Sequence, residues 1–115
     1  MQEKIKIVIK GKEYETLPMN VGRVIDFYKQ KAYLAGGTYQ LMYNDVAGTP
    51  ERVLDMINCN AFMQVFCPKF IEDIKPSRIE ELGLEDYDNV LTVYRQVVKP
   101  YMEGVQTFLS KREDK

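Results

Sequence analysis

A chain of 115 residues, 45% hydrophobic and 29% charged, is the size of one core and leaves no room for a second independently folded unit. Its 16 basic and 17 acidic residues give a formal net charge of -1, so no global field draws it to nucleic acid, an anionic membrane or an acidic substrate. The two cysteines, Cys59 and Cys67, make neither a zinc pattern nor a disulfide framework and read as small buried hydrophobes. With no leader-like opening and no apolar run near the roughly 18 residues that cross a bilayer, a cytosolic protein is expected.

From Lys4 to Leu17 the pattern alternates: Ile5, Ile7 and Ile9 share one face, and Lys4, Lys6 and Lys10 share the other. Lys10-Gly11-Lys12 supplies a turn in which Gly11 can take a positive φ, and Glu13 to Leu17 returns as a second strand until Pro18 stops the ladder. Lysines facing glutamates across the pair help to fix its register. Two strands alone are marginal in water, so this hairpin must lean on helices or on another chain.

Asn20 is a suitable N-cap, and Val21, Val24, Ile25 and Tyr28 mark the apolar face of a helix running to about residue 34. Gly36-Gly37 ends it. The stretch 38–48 reads equally as strand or helical turn. Thr49-Pro50-Glu51 then starts a helix apolar around most of its circumference to Phe66, expected at the centre of the core.

Pro68 closes that helix, and a short helical piece follows from Lys69 to Ile74. Ser77 and Glu80 are spaced as a capping box for a turn that Gly83 closes. Beyond Leu84, Tyr87, Leu91, Tyr94, Val98, Tyr101, Val105 and Phe108 form a seam with alternating steps of four and three. Pro100, inside it, predicts either a kink or two helices meeting near Lys99. The fold class that results is α+β and mainly α. It is a single domain over 1–115, in which a β-hairpin (4–17) packs on about four helices (21–112).

Chemistry is scarce. The chain has no histidine, the usual general base and metal ligand. Glu80 with Glu81, and Glu85 with Asp86 and Asp88, fit helix starts better than acid-base work or a divalent ion. Gly36-Gly37-Thr38 lacks the ending of a phosphate loop, and the lysines of the hairpin are diluted by Glu3, Glu13 and Glu15. No catalytic, metal or cofactor residue is assigned, and a non-enzymatic protein is expected. Tyr87, Tyr94 and Tyr101, seven residues apart, are amphipathic anchors suited to core or to partner, and with Ile7 and Tyr14 of the hairpin they are the candidate partner-binding residues. Met19, Met42, Met56, Met63 and Met102 fill gaps in a core or soften a groove for varied apolar segments.

The segments KIVIKGKEYETLPMNVGRVIDFYK and NVLTVYRQVVKPYMEGVQTF resemble the tail assembly chaperones of long-tailed bacteriophages. The matching positions are Gly11, Lys12, Glu13, Tyr14, Pro18 and Val21, then Val97, Val98, Tyr101, Gly104 and Phe108. The resemblance implies a protein of the infected cell's cytoplasm that binds the tape-measure protein and helps tail-tube subunits polymerise around it. Two other classes stand beside it. One is a structural virion or adaptor protein that self-associates into a ring or oligomer. The other is a small enzyme using the acidic segment Glu80 to Asp88.

Overall fold

The computed structural model describes residues 3–34 and 51–111. In order, they form β1 (Lys6–Ile9), β2 (Lys12–Glu15), α1 (Val21–Leu34), α2 (Glu51–Phe66), α3 (Pro68–Ile74), a 3-10 turn (Ile79–Glu81), α4 (Leu84–Val93), a π-helical stretch (Tyr94–Val98) and α5 (Lys99–Lys111). The protein is α+β and mainly α, as its sequence predicts. The expected glycine terminator, the ambiguous stretch 38–48 and the Thr49-Pro50 helix start lie outside the described residues.

β1 and β2 pair antiparallel with Lys6 opposite Glu15, Ile7 opposite Tyr14 and Ile9 opposite Lys12. The alternation sends Ile5, Ile7, Ile9, Tyr14 and Thr16 inward, all buried. Outside, Lys4 pairs with Glu15 and Lys6 with Glu13, each at 4.0 Å and more than half exposed, so they set register more than stability. Both turn residues have positive φ, Lys10 at 52° and Gly11 at 83°, which is the geometry that matches the twist of a two-residue hairpin loop. For Lys10 that conformation costs on the order of 1 kcal/mol. An ion pair between Lys10 and Asp86 of α4 holds the turn in place.

The hairpin leans on its own chain. The N–H of Leu17 donates to the Phe66 carbonyl at 2.8 Å, satisfying an acceptor that the last turn of α2 would leave open. The Tyr14 hydroxyl donates to Asp73 of α3 at 2.7 Å, and its ring meets Phe70 edge-on at 5.7 Å. At the centre lies α2, with Cys59, Ala61, Phe62, Met63 and Phe66 all within 2% of full burial, and the rings of Phe62 and Phe66 stacked 4.9 Å apart.

Three local expectations are corrected. The first concerns α1, which Asn20 caps through the Arg23 N–H at 2.9 Å. It turns Phe27 inward, 6.5 Å from the Phe66 ring, and leaves Val21, Ile25 and Tyr28 of the expected core face 75%, 49% and 42% exposed. Second, α3 starts at Pro68 itself, where a missing N–H costs nothing. Third, the capping contact falls one residue late: the Arg78 N–H donates to Glu81 Oε1 at 2.8 Å, which lets Ile79 enter the core. Gly83 then opens α4, its carbonyl accepting from the Tyr87 N–H at 2.9 Å.

At Pro100 the sequence predicts a kink or two helices meeting near Lys99, and the structure has α4 ending at Val93 and α5 beginning at Lys99, joined by the π-helical stretch. The Lys99 N–H reaches back to the Tyr94 carbonyl, five residues away, and this widened turn absorbs the donor that proline lacks and the room its ring needs. Beyond it the buried seam takes Met102 in place of Tyr101, running Leu91, Tyr94, Val98, Met102 and Val105, and Phe108 is 47% exposed.

Two glycines test this backbone with opposite signs. A Cβ meets nothing at either Gly11 or Gly104, but only Gly11 has positive φ. In urea denaturation Gly11→Ala should lose about 1–2 kcal/mol. Gly104→Ala, inside a helix, should gain about 0.5–1 kcal/mol.

Candidate functional site

The five residues expected to meet a partner are mostly spent in folding. Ile7, Tyr14 and Tyr94 are 1%, 7% and 5% exposed, inside the core, and Tyr87 and Tyr101 are half-buried against it. Burial first, and then the bond to Asp73, push the Tyr14 hydroxyl up to about 12. Tyr87 points at α2, where its hydroxyl donates to Asn60 Oδ1 at 2.7 Å, and burial raises its pKa and that of Tyr94. The structure thus brings Tyr87 and Tyr94 together over α2 as packing residues.

The apolar surface left exposed comes largely from residues whose spacing marked them as core. α1 carries two apolar stripes, and the one with Phe27 packs on α2. The other faces the end of α5, where Phe108 and Leu109 are 47% and 43% exposed. Between them lies a groove of about 510 Å³ whose walls include Val21, Val24 and Ile25 on one side and Val105, Phe108 and Leu109 on the other, with Met19 at one end. Fully burying one such side chain is worth ~1.5–3 kcal/mol, so the four most exposed represent a substantial unused driving force.

A second, polar feature lies between α1, α2 and α5. Asp55 of α2 is 5% exposed and accepts from Arg95 Nε at 3.0 Å and Lys99 Nζ at 3.1 Å, which neutralises it at a point where an unpaired carboxylate would be costly. Nearby, Lys31 of α1 is 7% exposed, its ammonium 5.2 Å from the Phe27 ring centre and 4.9 Å from that of Tyr28. Burial lowers its pKa to about 8. Phe27, Lys31, Asn58, Lys99, Met102 and Glu103 are among the residues around a cleft of about 330 Å³. Periodicity hides this cluster because it marks Val21, Ile25 and Tyr28 as the apolar face, whereas Phe27 and Lys31, four residues apart, share the face that is buried.

Neither thiol is poised to react: burial pushes Cys59 up to about 12 and also raises Cys67. Of the acidic segment, Glu81 is occupied as a cap and Asp86 by Lys10. Among the described residues no group of three or more acidic or thiol side chains is placed to hold a metal ion, and no helix is long and apolar enough to cross a membrane. The chain matches no known protein family, no curated protein and no solved structure.

Lys31 predicts a specific pH dependence. The folded chain releases its proton near pH 8 and the unfolded chain only near 10.5, so the cost of the buried charge is full below pH 8 and lifts as the pH rises toward 10.5. The raised thiols and tyrosines oppose this above pH 9 to 10, because they ionise first in the unfolded chain. The two effects separate by difference. Lys31→Met should be more stable than the parent by about 2 kcal/mol at pH 7, and calorimetry should show most of that advantage gone by about pH 10.

Proposed function

We propose that this protein is a non-enzymatic tail assembly chaperone of a long-tailed bacteriophage, holding an apolar helical segment of the tape-measure protein in the α1–α5 groove. The observation that carries the proposal is the groove itself, open and apolar, with Val21, Ile25, Phe108 and Leu109 exposed on its walls. An amphipathic helix presents anchors at i, i+3, i+4 and i+7, and such a stripe is the natural filling for a trough between two helices. The resemblance of the hairpin and of the last helix to that chaperone family supplies the partner. Transient occupancy suits a chaperone, because the core of this protein is complete without it.

The test is a pull-down with the tape-measure protein of the same genome, using the parent chain and the double variant Ile25→Asp, Phe108→Asp. The variant should lose roughly tenfold or more in affinity while its stability changes by no more than about 1 kcal/mol, because both side chains already face water. Binding unchanged in the variant, or the protein at stoichiometric levels in purified virions, contradicts the proposal.

A further inference from the structure

The walls of the α1–α5 groove are apolar with two exceptions, Asn20 and Glu3. Asn20 is already engaged, since its Oδ1 accepts the Arg23 N–H and caps α1. Glu3 is exposed, and its backbone is fixed at the Met19 end of the groove, where its carbonyl accepts the Met19 N–H at 2.7 Å. Arg23, the cation in the first turn of α1, turns its guanidinium to the Pro18 carbonyl at 2.9 Å instead. Among the described residues no ion pair includes Glu3. Its carboxylate also lies close enough to α5 to push the Tyr101 hydroxyl up, after the larger effect of burial. An otherwise uncharged trough therefore carries one negative charge, placed at one end.

Apolar contact fills such a trough without fixing a register, because a uniform stripe of aliphatic side chains meets the same walls after sliding by one turn. Binding sites settle orientation with a small number of polar groups. Here the group in place to do so is a carboxylate. A neutral residue opposite it gains nothing, and an acidic one meets like charge in a groove that binding dries. A lysine or arginine gains a charge-assisted hydrogen bond. Resting on the reading that this groove holds an apolar helix, we propose that the occupant is an amphipathic helix whose apolar stripe ends in a lysine or arginine, held at the Met19 end by Glu3. The chain's net charge of -1 is too small to impose such a preference by itself, so the preference belongs to Glu3.

The experiment is an amide NMR titration of the full chain with two synthetic amphipathic helices that share one leucine stripe. One peptide carries lysines at both ends of the stripe, and the other carries glutamates in the same places. At low salt the lysine peptide should give saturable shifts confined to α1 from Val21 to Ile25 and α5 from Val105 to Leu109, and should bind roughly fivefold or more tighter than the glutamate peptide. Salt at about 0.5 M should remove most of that difference. Glu3→Gln should bind the two peptides alike and Glu3→Lys should prefer the glutamate peptide, both variants remaining folded because the residue is exposed. Equal affinity of the two peptides for the parent, a preference that survives Glu3→Gln, absence of binding by the lysine peptide, or shifts that map elsewhere overturns the proposal. The function proposed above fails separately: no capture of the tape-measure protein, with the lysine preference intact, removes that function and leaves the charge preference. Capture lost in the Ile25→Asp, Phe108→Asp variant but unmoved by Glu3→Lys removes the charge preference and leaves the function.

Discussion

The rotation of α1 about its own axis, set where the Phe27 ring meets Phe66 of α2 at 6.5 Å, decides which of its apolar side chains enter the core and which face solvent. α1 has apolar residues on more than one side, and a helix can bury only the side that faces its neighbour. With Phe27 inward, Lys31 one turn later is carried inward too, and Val21, Ile25 and Tyr28 are carried out. The apolar groove and the polar cleft are therefore two consequences of one packing choice.

That choice leaves α2 as the common support. Phe66 packs against Phe62 and Phe27 through its ring, and its carbonyl accepts the Leu17 N–H, so one residue at the end of α2 joins α1, the core and the hairpin. The hairpin needs no second chain to bury its isoleucine face. Its turn and its second strand are tied to α4 and α3 through Asp86 and Asp73, two acidic residues that hold lysines of the hairpin. The exposed apolar surface lies at the other side of α1, in a groove where Val21, Ile25, Phe108 and Leu109 face solvent.

Much of this architecture was legible in residue order, and the exceptions have physical reasons. Strict alternation placed Ile5, Ile7 and Ile9 on one face, and the same alternation carried to β2 puts Tyr14 opposite Ile7 in the core, which argues against either as a partner contact. The positive φ of Lys10 was hidden because lysine has no preference for it; hairpin twist imposed it. Pro100 announced a disturbance, but a widened turn upstream of it depends on tertiary packing, as does the place of Met102 rather than Tyr101 in the buried seam. The α1 face was misplaced because Val21, Ile25 and Tyr28 repeat as regularly as a core stripe does. Periodicity identifies an apolar stripe without saying whether anything is available to cover it. Groove and cleft both join residues some eighty positions apart, a juxtaposition that local pattern does not contain.

The central claim is that the Val21 and Ile25 side of α1 is open to solvent in the free protein. The most direct measurement is methyl relaxation in the presence of a soluble paramagnetic probe. The methyls of Val21, Ile25 and Leu109 should relax strongly with probe concentration, while those of Ile7, Ile79 and Val98, each about 1% exposed, stay protected. Protection of Val21 and Ile25 equal to that of the core methyls would mean that the stripe is already covered, and would contradict the account.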